Sequence, residues 1–401
     1  MNDGSYLLVF NAGSSSLKFG VFDNSRQLRP HLRGALRDIG RPNPSLELGD
    51  AAEDVGEVAS VADAAAIVLD RLADGIDDIR LTAGKVAATG HRIVHGGGYF
   101  AGPTRLDPSA LAKLRSLTHL APLHNPHSLA VLDCVQERFP DAPAVAEFDT
   151  SFFNDLPDTA RTYAIPFEWA DCHEVRRYGF HGIAHQYMSG QLESRRRAAA
   201  KTERLLSLQL GQGCSVAAIR SGRPVETSMG FTPLEGLVMG TRCGDLDAGV
   251  VFYMAQHGCN WGELEELLNR ESGLLGLSGE SDDVRKLLEL ESRQHAGARL
   301  ALAVFCHRII KYLGAYAAVM GGVNSIVIGG GIGENSPDIR ARICAGLSWL
   351  GLELDSEANE HCVGKDGRIS SEASTIDVHV IEVDEEPVIA AATQAVLRED
   401  T

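Results

Sequence analysis

The sequence predicts an α/β protein made of two duplicated domains, each a mixed sheet flanked by helices. Three observations predict it. Two gapless stretches resemble one another, LLVFNAGSSSLKFGVF at 7–22 and LLSLQLGQGCSVAAIR at 205–220. Each is an apolar run, a polar turn containing glycine and a second apolar run, and the pairing sets Asn11 against Gln209 and Gly13 against Gly211. In both halves helical and strand-like patterns then alternate, as expected of sheets covered by helices. The length of 401 residues, with 44% apolar and 23% charged residues, is that of a globular chain of two or three domains.

Taken in order, the first repeat is followed by strand-like HLRGAL and VAATGHRIV, and APAVAEFD closes the segment near residue 149. Helical patterns occupy about 60–73, 108–118 and 126–138. Segment 41–60, RPNPSLELGDAAEDVGEVAS, has the weakest pattern and reads as a solvated excursion of the first domain. The second half continues from its repeat through PVETSMG to helices near 248–257, 261–270, 281–291 and 295–320. The strand SIVIGG, a helix, the strand VHVIEV and a last helix complete it. The expected domains are 1–150 and 151–385, with the helix 386–401 packing back on the first and a cleft between the two.

A net charge of −17 disfavours nucleic acid and anionic membranes as partners, since either needs a basic footprint. The start, MNDGSYLLVFNAGSS, has no basic leader region and its apolar run breaks at Asn11, so neither a signal peptide nor a membrane span is expected there. The expected location is the cytoplasm. The eight cysteines form no CxxC pair and read as reduced thiols.

Several stretches carry more polar chemistry than a connection requires. NAGSSSLK, 11–18, is not a Walker A loop, but its glycine, hydroxyls and Lys18 suit a phosphate; the alternative is an ordinary hairpin with a solvated lysine. In SIVIGGGIGEN, Glu334 stands where GxGxxG needs its last glycine, which disfavours a dinucleotide site. The turn still offers backbone amides to a phosphate or ribose, or is simply a tight connection. Arg92 in GHRIVHGG and Arg242 in MGTRCGDLD sit among glycines where a guanidinium fork can grip a carboxylate or phosphate; surface ion pairs are the alternative. Among the clustered histidines His181 stands out, set beside Phe180 and Gly182. Asp149 and the pair Glu385–Glu386 end strand-like runs, where a carboxylate either holds Mg²⁺ or caps a helix.

Together NAGSSSLKF, GHRIVHGG, APLHNP, VAEFDTSFF, YAIPFEW, RRYGFHGIAH, TSMGFTPLEGLVMGTRCGDLD, SGLLGLSG, GAYAAVMGGVNSIVIGGGIGENS and DEEPVIA resemble the acetate kinase family, the acetokinase branch of the actin and sugar-kinase ATPase superfamily. The match runs over nearly the whole chain in family order. It implies two ribonuclease H-like domains, a homodimer, and reversible phosphoryl transfer from ATP to acetate or another short carboxylate, giving ADP and an acyl phosphate. Mg²⁺, or Mn²⁺ in its place, is the implied metal, held by Asn11 and Glu385. The resemblance places Ser14, Ser16 and Lys18 near the phosphates. Arg92 and Arg242 would clamp the carboxylate and the transferring phosphoryl, His181 would hydrogen-bond that phosphoryl, and Asp149 would sit beside the reacting oxygens. Val94, Leu123, Phe180 and Pro233 match the pocket for the acyl methyl. Gln209, Gly211, Gln212 and Gly213 match the second phosphate turn, and Asp283, Val284, Arg285, Gly331, Gly333 and Asn335 the adenosine site.

Three residues depart from the family pattern. Gln209 and Gln212 replace the His and the Asn of a His-Leu-Gly-Asn-Gly turn, and Asp384 replaces an Asn beside Glu385. The first two leave open an altered phosphate donor or a chain without turnover; the third adds negative charge at the metal. Propionate is the nearest alternative acceptor, because one methylene is worth only ~1–3 kcal/mol of discrimination.

Overall fold

A computed structural model describes residues 5–49, 51–76, 79–195 and 203–399. The chain divides into two compact units, Met1–Asn154 with Asp384–Thr401, and Asp155–Val383. Residues 400 and 401 of the expected last helix lie outside the described residues.

Among the described residues the first unit carries β1 (Tyr6–Ala12), β2 (Ser16–Asp23), β3 (Pro30–Arg37), β4 (Ser45–Leu48), β5 (Ala51–Asp54), β6 (Val86–Ile93), β7 (Thr104–Arg105) and β8 (Ala144–Phe148). Their order in the sheet is β5-β4-β3-β2-β1-β6-β8-β7. The second unit carries β9 (Arg204–Leu210), β10 (Cys214–Arg220), β11 (Arg223–Thr227), β12 (Ser325–Gly329), β13 (Gly367–Arg368) and β14 (Asp377–Val380), ordered β11-β10-β9-β12-β14-β13. The sequence repeat thus opens the same arrangement twice. Three antiparallel strands, β3-β2-β1 and β11-β10-β9, are followed by two parallel ones, β6-β8 and β12-β14. Matching hairpin turns join β1 to β2 and β9 to β10, closed by Gly13 N–H donating to Ser16 O at 2.8 Å and Gly211 N–H to Gly213 O at 3.0 Å.

The central strands are apolar on both faces because helices cover both. On one face of the first sheet, Leu8, Phe10 and Phe19 pack against Ala65, Val68 and Leu72 of the helix Val61–Asp74. Each such side chain contributes ~1.5–3 kcal/mol when fully buried. That helix starts where it does because Ser60 and Asp63 form a reciprocal capping box, worth about 1 kcal/mol. The other face is covered from the far end of the chain by the helix Glu386–Glu399, through Ile389, Ala390 and Thr393. Gly90 permits this approach: a Cβ there would lie 2.3 Å from Thr393 Oγ1. In the second unit the helices Gly182–Arg195 and Ala296–Met320 pack on the sheet.

Segment 41–60 is more ordered than its composition implies. It supplies β4 and β5, and Leu46 and Val58 enter the core. Two four-residue strands, the outer one largely exposed, are too short to impose a legible alternation.

Candidate active site

In the first unit the candidate residues gather at the carboxyl ends of three adjacent parallel strands. Asn11 lies at the end of β1, Arg92 near the end of β6 and Asp149 just after β8, the edge where α/β sheets place ligands. Arg92 binds Asp149 bidentately, Nε to Oδ1 at 2.8 Å and Nη2 to Oδ2 at 2.6 Å, and its Nη1 donates to Asn11 Oδ1 at 3.0 Å. Asn11 Nδ2 donates to Glu385 Oε2 at 2.6 Å, which ties β1 to the start of the C-terminal helix. Burial works against the charge on Arg92, but Asp149 and then Glu385 outweigh it and hold the guanidinium protonated well above its ordinary range. Asp149 is buried, and the bidentate guanidinium sets a positive charge against it.

Three carboxylates follow one another at that helix start. The charge that Asp384 brings to this position is met by an ion pair with Arg33 of β3. Glu386 is buried, and burial pushes its carboxyl up to about 8, with Asp384 and Glu385 adding to the rise and Lys18 opposing it. Its Oε1 is buried without a hydrogen-bond partner. On the hairpin turn Ser14 is exposed, Ser16 and Lys18 are half-buried; Val94 is buried after β6 and Leu123 half-buried before the helix Asn125–Arg138.

Glu147, two residues before Asp149, was not among the expected site residues. Burial pushes its carboxyl up to about 7, Ser151 opposing and Asp149 adding to the rise. Because the folded state holds this proton more tightly than the ordinary value of 4.5, the contribution is complete below pH 4.5 and is lost as pH rises through 7. At ~1.4 kcal/mol per unit this is at most of order 3 kcal/mol. Glu147→Gln removes that decline, so urea denaturation at pH 5 and pH 8 should give a smaller stability difference than in the parent protein.

In the second unit His181 precedes the helix Gly182–Arg195 and has φ 58°, a left-handed conformation that turns its ring out of the helix line. Its Nδ1 lies 2.9 Å from Ser215 Oγ. His181 and Arg242 converge on Gly213: a Cβ built there would lie 3.3 Å from His181 Nε2 and 3.5 Å from Arg242 Nη1. Arg242 Nη1 donates to Pro233 O at 3.2 Å. No carboxylate among the described residues of this unit pairs with Arg242, and burial draws its pKa below the ordinary value. Phe180 is buried and Pro233 half-buried.

A cavity of about 330 Å³ opens in the same unit, lined by Gly211, Gln212, Asp282, Asp283, Val284, Arg285, Gly331, Ile332, Asn335 and Ser336. It unites the hairpin turn, the start of the helix Val284–Ser292 and the glycine turn after β12, so seven of the expected nucleotide residues line one space. Asp282, Ile332 and Ser336 were not expected. Gln209, Gly213 and Gly333 do not line it; Gln209 Oε1 is buried without a partner. The amide of Gly330, expected to be open, donates to Glu334 Oε1 at 2.7 Å, which also accepts from Val383 N–H at 3.0 Å. The residue that breaks the dinucleotide fingerprint therefore holds the turn itself. Arg340, fully buried, braces the same turn by donating from Nη1 to Gly333 O at 2.8 Å and from Nη2 to Asn359 O and Cys362 O, both at 2.7 Å. No local motif marks it.

The model of the acetokinase family matches residues 6–391. The chain belongs to the acetokinase family. An acetate kinase of Heliobacterium modesticaldum is 39% identical over 98% of this chain and 99% of its own length. Among solved structures, an acetate kinase of Porphyromonas gingivalis is 36% identical with a TM-score of 0.86, over 98% of this chain and 100% of that one. A propionate kinase of Francisella tularensis is 34% identical with a TM-score of 0.88, over 98% and 99%. This acetokinase thus shares its fold along both units with enzymes named for two different short carboxylates.

Proposed function

We propose that this acetokinase phosphorylates acetate, transferring the terminal phosphoryl of ATP to the carboxylate with Mg²⁺ as the metal. It is a phosphotransferase with a carboxyl group as acceptor, using ATP and ADP. The observation that carries the reading is Arg242: a half-buried guanidinium with no carboxylate of its own, beside a histidine, on a glycine that leaves both uncovered. Such a group is completed by an anion.

The donor set fits a hard cation. Asn11 and Glu385 offer an amide and a carboxylate, and no group of three His, Cys, Asp or Glu among the described residues forms a metal cage. Two protein ligands suit Mg²⁺, which keeps waters and takes phosphate oxygens for the rest. Bound there, the cation supplies positive charge to the polyphosphate. The chain's own residues do the remainder: Arg242 and His181 donate to the equatorial oxygens of the moving phosphoryl, and Arg92, held by Asp149, orients the carboxylate. The acceptor is already ionised at pH 7, so no strong general base is required. Lys18, Ser14 and Ser16 bind phosphate oxygens, and the cavity at Asp283 and Gly331 takes the nucleoside.

Gln212 lines that cavity, with its Oε1 packed on Gly240. Removing one methylene there takes away a lining contact worth about 0.8 kcal/mol. Gln212→Asn should therefore raise the KM for ATP about fourfold and leave the KM for acetate unchanged in steady-state kinetics. Acetate against propionate is settled by comparing kcat/KM for the two. We further propose a cytoplasmic homodimer, supported by exposed Val250, Phe252, Tyr253 and Trp261 around the helix Ala248–Gln256. Sedimentation should give twice 43.0 kDa.

A further inference from the structure

His181 is joined to the interior by an unbroken chain of hydroxyls and imidazoles. Its Nδ1 lies 2.9 Å from Ser215 Oγ, which lies 2.8 Å from His185 Nε2, and His185 Nδ1 lies 2.8 Å from Ser207 Oγ. Both imidazoles, His181 just before the helix and His185 in its first turn, meet at the Ser215 hydroxyl. Ser207 of β9 and Ser215 of β10 share a face of the sheet, because Ser215 pairs with Gln209, two residues from Ser207.

We infer that this chain fixes the tautomer of His181, keeping its proton on Nε2 and aiming an N–H donor at the reacting phosphoryl, with Ser207, Ser215 and His185 as positioning residues. The inference deepens the kinase reading and rests on it only for what the donor meets. The direction follows from counting hydrogens. His185 and both serines are fully buried. Burial holds the pKa of His185 down to about 3, so its ring carries one N–H. Each hydroxyl has one hydrogen and its oxygen can accept twice, so only a chain that donates in one direction throughout can use every hydrogen.

Three arrangements put one hydrogen in every bond of the chain. In one, Ser207 O–H donates to His185 Nδ1, His185 Nε2–H to Ser215 Oγ, and Ser215 O–H to His181 Nδ1; every hydrogen is used, and neutral His181 carries its proton on Nε2. In the others His181 Nδ1–H donates inward: either Ser215 Oγ accepts from both imidazoles and its own hydrogen is left unmatched, or every bond reverses. The Ser207 hydrogen then needs a further acceptor, and His185 is the one side-chain hydrogen-bond partner of Ser207 among the described residues. A buried hydroxyl left unmatched favours the first direction by roughly tenfold or more.

The test needs no ligand. Histidine labelled with ¹⁵N in the ring reports the tautomer of His181 directly, its signal assigned by loss in His181→Asn. In the parent protein at pH 7.5 the Nε2–H form should account for at least nine-tenths of neutral His181, by roughly the same factor. Ser207→Ala removes the hydrogen that sets the direction, so the two tautomers should approach equal populations and kcat should fall about twofold. Ser207→Val, a second variant without the hydroxyl and suited to a strand, should behave alike, and Ser207→Thr should restore the parent ratio. His181 protonated on Nδ1 in the parent, or a ratio unmoved in the Ala and Val variants, overturns the inference. Failure of the kinase reading is separate: the tautomer ratios would stand while acetate-dependent turnover was missing.

Discussion

Arg242→Ala lowers kcat by about two to three orders of magnitude while thermal unfolding shifts little. One transition-state donor in a preorganised site is worth roughly 2.7–4 kcal/mol. Arg242 makes one hydrogen bond to a carbonyl, that of Pro233, and has no carboxylate partner among the described residues of its unit, so its removal strands no buried charge. Steady-state kinetics together with calorimetry check both halves. A variant with near-parental kcat would remove Arg242 from the phosphoryl site; one that loses its fold would make it structural.

Arg92→Ala behaves differently, although the sequence presents the two arginines alike. Its loss leaves Asp149 buried without its bidentate partner, and breaking a buried pair in this way costs about 3–5 kcal/mol. Asn11 Oδ1 loses its donor as well. Activity and stability should therefore fall together, with a drop in the urea midpoint that Arg242→Ala does not show. The double variant Arg92→Ala with Asp149→Ala removes the stranded charge and should recover much of the stability without recovering activity. If Arg92→Ala alone is as stable as the parent, the pair carries no structural load and the distinction between the two arginines fails.

That contrast shows where sequence reading ends. The duplicated hairpins are legible because LLVFNAGSSSLK and LLSLQLGQGCSV keep their apolar spacing without gaps; the strand order that the two sheets share is visible only in the structure. Long helices such as Ala296–Met320 carry a period that survives in one dimension. The segment 41–60 does not, since its strands pair with β3 and with each other over only four residues.

Within the site, the nucleotide residues were readable as motifs, and the cavity brings seven of them together. What the motifs concealed were partners set by tertiary distance. Glu385 meets Asn11 across 374 positions, Asp384 finds its counter-charge in Arg33, and Arg340 braces the glycine turn from a helix with no recognisable signature. Composition also marks a hydroxyl such as Ser207 only as a small residue in a strand; its part in orienting His181 emerges from counting hydrogens once the neighbours are known.

The central claim is phosphoryl transfer to acetate, and trapping the product tests it most directly. Protein incubated with Mg²⁺, ATP, acetate and hydroxylamine should form acetohydroxamate in proportion to enzyme and time, none appearing when acetate is left out. ADP release without hydroxamate, or no reaction from a folded sample supplied with all four, would contradict the account.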